Sequence, residues 1–154
     1  MRSTLFVIGL AALTILPARA EDTAAVKKDL AALQGEWSMV SGSADGMVLP
    51  DEMREQAKRV CKGDELTVTI GPQLLMKAKI TIDPSKTPKT INYEVIDGPA
   101  KGKKHLGIYE LEGDTMKSCF AAPDEPRPKE FAGKAGEKRT VSVWKRDKKQ
   151  SSAP

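Results

Sequence analysis

From residue 66 onward apolar side chains recur at every second position, a period that strands satisfy and helices do not. Leu66, Val68 and Ile70 alternate with Thr67 and Thr69; Met76, Ala78, Ile80 and Ile82 alternate with Lys77, Lys79 and Thr81; Ile91, Tyr93 and Val95 alternate with Asn92 and Glu94. Successive side chains of a strand point to opposite faces, so each segment buries one face and wets the other. The same pattern covers Leu106 and Ile108, Met116 and Phe120, and Val141 and Val143. With Trp37 to Ser41 and Ala57 to Lys62 added, the chain has eight candidate strands.

The connections say how these strands neighbour one another. Lys62-Gly63-Asp64, Gly71-Pro72-Gln73 and Glu112-Gly113-Asp114 are tight glycine-containing turns between alternating runs, the local signature of antiparallel hairpins. Asp83-Pro84-Ser85 and Asp97-Gly98-Pro99 mark two longer ones. A succession of hairpins is a meander, and eight strands can close on themselves and abolish both exposed edges. The expected fold is therefore all-β, an eight-stranded antiparallel up-and-down barrel with a short helix before it, since Val26, Leu30 and Leu33 share a helical face over 23–33 and Gly35 ends the run. Two segments interrupt the pattern: 43–56, where Pro50-Asp51-Glu52 can open a short helix, and 122–138, rich in proline and glycine.

Residues 1–20 read as a secretory signal peptide: Arg2 starts it, Leu5 to Leu16 is uncharged and apolar, and Ala18-Arg19-Ala20 ends it as small-x-small. Its apolar run is too short to span a bilayer, so no transmembrane anchor is expected. The remaining residues, 21–154, are the size of one domain. Without the leader's two arginines the chain has 23 basic and 21 acidic residues, a net charge of +2, which gives no ground for a nucleic-acid partner. Basic residues nevertheless cluster between 126 and 149.

Cys61 and Cys119 are the two cysteines of a chain expected to meet an oxidising compartment. They fall on the second and seventh strands of the ring, too far around it for easy bonding; a disulfide is possible but two buried thiols are favoured. With one histidine, His105, a Cys/His metal site is not expected. Gly98-Pro99-Ala100-Lys101-Gly102-Lys103 lacks the spacing, the following Ser or Thr and the helix of a phosphate loop. His105 begins a strand and has no Ser or Cys at a telling distance, so a rim position is expected for it. No carboxylate pair has spacing that marks acid/base chemistry.

Leu33-Gln34-Gly35-Glu36-Trp37, directly before the first strand of such a meander, resembles the Gly-x-Trp opening of lipocalins and related calycin barrels. The resemblance implies that Gly35 and Trp37 are structural, that Trp37 plugs one end of the barrel, and that Arg146, or failing that Arg139, lies over its ring. A longer series, Leu33-Gln34-Gly35-x-Trp37, Asp45-Gly46, Leu49-Pro50, Asp97-Gly98-Pro99-x-Lys101-Gly102-Lys103, Gly107-Ile108-Tyr109-x-Leu111-x-Gly113-Asp114, Cys119-Phe120-Ala121, Arg127-Pro128-x-x-Phe131 and Lys145-Arg146, resembles an uncharacterised exported domain family abundant in planctomycetes. That likeness implies an exported barrel and supplies no mechanism. Cys61 stands where that pattern has an apolar or aromatic residue.

The expected function is a non-catalytic binding module, periplasmic or secreted, that needs no cofactor. Its mouth, with the 122–138 loop beside it, would hold a small apolar or amphipathic ligand. Trp37, Tyr109, Arg127, Phe131 and Arg146 are the candidate contact residues, although Arg127 and Phe131 can equally serve to pin the loop to the rim. The alternative is a protein-interaction or inhibitor module of the cell envelope acting through loops and the basic C-terminal face. A hydrolase with an unrecognised site is the third.

Overall fold

The computed structural model describes the backbone of residues 18–148 and the side chains of 23–148. The charged start and apolar run of the expected leader lie outside the described residues. A helix α1 (Ala18–Leu33) precedes strands β1 (Gly35–Ala44) and β2 (Met47–Val48), a short helix α2 (Asp51–Gln56), and strands β3 (Ala57–Lys62), β4 (Glu65–Ile70), β5 (Gln73–Asp83), β6 (Lys89–Asp97), β7 (Lys104–Glu112), β8 (Thr115–Ala121) and β9 (Arg139–Arg146). Seven strands, β3 to β9, follow β1 in chain order around the ring, and β9 pairs back onto β1. The result is a closed, eight-stranded antiparallel up-and-down barrel, as the alternation predicts. The two-residue β2 is an arm on β1 outside the ring. α1 starts earlier than the 23–33 expected, because its alanine-rich first turns carry high helix propensity.

Register slips between Met39 and Ser41, between Val68 and Thr69, and between Lys77 and Ala78 bend the strands so that the sheet can close. The slip in β1 also changes its phase, and a side chain at Gly42 would meet Met39 and Leu49, which crowd the interior there. The core runs down one interior and includes Leu33, Trp37, Leu66, Ile80, Ile82, Ile91 and Met116.

One end of that interior is shut. Gly35 turns the chain from α1 into β1 at φ 103°, a left-handed conformation that favours glycine. The turn drops Trp37 into the barrel, fully buried, with Nε1 donating to Leu33 O at 3.0 Å. Gln34 ties the same corner to the β3–β4 turn, donating from Nε2 to Gly63 O at 2.9 Å and accepting from Gly63 N at 2.7 Å. The Arg146 guanidinium sits 4.2 Å from the centroid of the Trp37 ring, donates to the carbonyls of Ala32 and Gln34, and reaches Asp114 with Nε at 3.0 Å. It thus satisfies helix-end carbonyls and covers the plug at once. From α1, Asp29, 7% exposed, accepts from Tyr109 Oη at 2.6 Å and from Lys89 Nζ at 2.8 Å. Burial and that carboxylate push the Tyr109 phenol well above its ordinary pKa, so it remains a donor.

Replacing Trp37 with Ala empties the plug and is expected to lower stability by about 3–5 kcal/mol in urea unfolding. A smaller contribution comes from the seam. Asp147 accepts from Ser38 Oγ and from Lys58 Nζ, the latter at 2.9 Å, and these bonds, that of Ser38 first, hold its carboxyl below the ordinary value of 3.8. A depressed folded pKa stabilises above the ordinary value and loses that contribution as pH falls through the folded one. Asp147→Asn is therefore expected to cost under about 1 kcal/mol at neutral pH, the exposed pair being screened, and less at an acidic pH below the ordinary carboxylate range. Unfolding midpoints measured at the two pH values check it.

Candidate functional site: an apolar cavity at the open end

The opposite half of the barrel is hollow. A cavity of about 400 Å³ opens between the ends of β1, β4 and β8, the starts of β3, β5, β7 and β9, and the β6–β7 loop. Its inner wall includes Met39, Arg59, Val68, Met76, Tyr93, Phe120, Ser142 and Trp144. Leu49, Met53, Leu75, Pro99 and Ala100 stand around the mouth, with His105 beside them. As expected, His105 is at the rim, its Nδ1 3.2 Å from Ala121 O.

Small residues make the space. Gly107 faces inward on β7, and a Cβ there would lie 2.4 Å from the Phe120 ring, so its bare backbone is the seat of that ring. Phe120 in turn stacks on Tyr93 with centroids 4.1 Å apart. The polar groups of the far wall satisfy one another: Ser118 Oγ and Ser142 Oγ are 3.0 Å apart, and Trp144 Nε1 donates to Ser142 Oγ at 2.9 Å. What faces the void is mainly carbon and sulfur, and Arg59 is the charged residue among the lining.

The five residues proposed for ligand contact do not line this cavity. Trp37, Tyr109 and Arg146 belong to the closed end. Arg127 donates to Gly107 O at 2.6 Å, Ile91 O at 3.3 Å and Asn92 Oδ1 at 2.7 Å, holding the 122–138 loop against the outer wall of β6 and β7. Burial lowers its pKa. The Phe131 ring lies 5.1 Å from Lys117 Nζ, on the same outer side. The loop therefore does not cover the mouth but roofs Ile108 and Cys119, which face out from the barrel and are nonetheless 1% and 0% exposed. The segment that leans over the mouth belongs to the other interruption, 43–56, through Leu49 and Met53.

Cys61 faces the barrel interior near Gln34, and Cys119 lies under the loop with Sγ 3.7 Å from Ala132 O. Both are free buried thiols on opposite sides of the wall, and burial raises both pKa values. Among the described residues no three His, Cys, Asp or Glu side chains converge as a metal site would. No described helix is long and apolar enough to cross a membrane. Compared with protein-family models, curated proteins and solved structures, the chain matches none.

The cavity residues Arg59, Tyr93 and Phe120 escaped the sequence reading as site residues. For Arg59 a signal existed: it shares the inward phase of Ala57 and Cys61. Gly107→Ala is expected to displace Phe120 into the cavity and cost about 1–3 kcal/mol. Arg127→Ala should destabilise by a similar amount, leaving carbonyls short of a donor, while the cavity keeps its capacity for an apolar dye. Unfolding curves and dye titrations of the two variants distinguish these effects.

Proposed function

We propose that this chain is an exported, non-catalytic binding module of the periplasm or cell surroundings whose barrel mouth holds one small apolar or amphipathic ligand. The observation that carries the reading is the contrast between the two ends: one plugged by Trp37 beneath α1, the other left as an apolar cavity of about 400 Å³. That volume lies within the range of small-molecule sites, roughly 300–1,000 Å³. Mouth and rim are continuous in character, since Leu49, Met53 and Leu75 line the cavity, and Met47 and Val48, directly before Leu49 in the chain, are 71% and 80% exposed. Export rests on the signal-peptide pattern of 1–20 and on the ordered motifs resembling an exported family.

The alternative, a basic C-terminal docking face, has less support. Lys138 pairs with Glu125 at 2.8 Å, Arg139 with Glu137 at 3.4 Å, and Arg127 and Arg146 are committed to main-chain carbonyls of the chain itself.

The purified protein is expected to brighten an environment-sensitive apolar dye and to release it when an alkyl ligand is added. Ala44→Trp, which places an indole at the mouth, should weaken dye binding by about tenfold or more while far-ultraviolet dichroism stays that of a β protein. A dye that remains dark with the unaltered protein would overturn the reading.

A further inference from the structure

The barrel interior holds a cation without a counterion. Arg59, on β3 between the inward-facing Ala57 and Cys61, lines the cavity yet is 1% exposed, which places it at the inner end. Nη1 donates to Tyr93 Oη at 2.9 Å; Nε and Nη2 have no hydrogen-bond partner. No ion pair among the described residues includes Arg59. A guanidinium cannot shed its proton in a protein, and a buried charge left unpaired opposes folding.

The vacant donors are a matched pair. Nε and Nη2 form one edge of the guanidinium, with two N–H bonds set to receive both oxygens of a carboxylate. Tyr93 holds the guanidinium from its other side, its oxygen accepting from Nη1, and so orients the free edge. Burial raises the Tyr93 pKa, so the proton stays in place. The walls between this pair and the mouth are apolar, and low polarity strengthens a charge-assisted bond.

We propose, building on the binding reading above, that the ligand is a single-chain amphiphile with a carboxylate head, bound head inward. The head accepts from Arg59 Nε and Nη2, and the apolar tail runs past Phe120 toward Leu49, Met53 and Leu75. The Nε–Nη2 edge is closed to bulk water. Met39 and Met76 line the same cavity, and their unbranched thioethers are the side chains most able to give way to a head group. A neutral or cationic head would leave the guanidinium without a counterion.

The test uses dye displacement by three ligands of equal chain length, an alkyl carboxylate, the matching alcohol and the matching alkyltrimethylammonium, below their micelle concentrations and at mildly alkaline pH. With the unaltered protein the carboxylate should act at roughly 10- to 100-fold lower concentration than the alcohol, with the ammonium weakest. In Arg59→Met the advantage of the carboxylate over the alcohol should vanish, and in Tyr93→Phe, which leaves the guanidinium less firmly oriented, it should shrink several-fold. Should Arg59→Met fail to fold, the comparison on the unaltered protein decides alone. Equal displacement by acid and alcohol, or preference for the ammonium, would overturn the head-group assignment and leave the cavity reading intact. Binding of the dye without displacement by any of the three ligands overturns the assignment too, whereas a dye that never binds removes the cavity reading beneath it.

Discussion

The seat of Trp37 holds the architecture together. An eight-stranded ring must join its first and last strands, the most distant in sequence, and here the joint, the end of α1 and the barrel plug meet at one point. Arg146 comes from β9, Trp37 from β1 and the carbonyls of Ala32 and Gln34 from the helix end, so one guanidinium links all three. Hydrogen bonds along β1 and β9 would close the ring without it, but they would not decide which end is filled. The bulk of an indole, together with Tyr109 and Leu33, does decide it.

The other half has large side chains too, Tyr93, Phe120 and Trp144, but they lie along its wall with small residues set between them. Ala57, Gly107, Ser118 and Ser142 occupy inward positions there, and the serines bond to each other and to Trp144 instead of demanding water. Phe120 leans over Gly107, which leaves the centre clear rather than blocked. The hollow is thus a product of residue size and satisfied polarity, not of loose packing. A barrel filled evenly from end to end would have no such asymmetry.

How much of this could be read beforehand depended on whether the determining forces act along the chain or across it. Alternation is local, since a strand with one dry face must show it in sequence, and all eight barrel strands were legible from Leu66, Ile80, Ile91 and their like. The plug was legible by resemblance, through Gly35, Trp37 and Arg146. The outer loop was not. Prolines and glycines in 122–138 signal irregular chain without saying which side of the wall it covers, and Arg127 binds mostly main-chain carbonyls, which leave no trace in side-chain identity. Arg59 was hidden by company: Lys58 and Lys62, on the opposite phase of β3, make it look like one more wet cation.

That phase changes what Arg59 means. A wet lysine costs little to keep, but a guanidinium facing the interior gives up hydration that one phenol cannot replace, and an apolar side chain of similar size would fold more readily there. Such a charge is best understood through the state in which it is paired. If an anion completes it, binding and folding become linked: the occupied barrel is stabilised in proportion to the logarithm of ligand concentration over the dissociation constant, because the unfolded chain offers no comparable site. The buried cation then works as a device of selection, making the barrel less tolerant of neutral occupants than its apolar walls alone would be. The closed end supplies the rigidity this requires, since Arg59 lies on β3 directly across from Trp37 in register, and the plug that shuts one half also fixes the strand that presents the charge to the other.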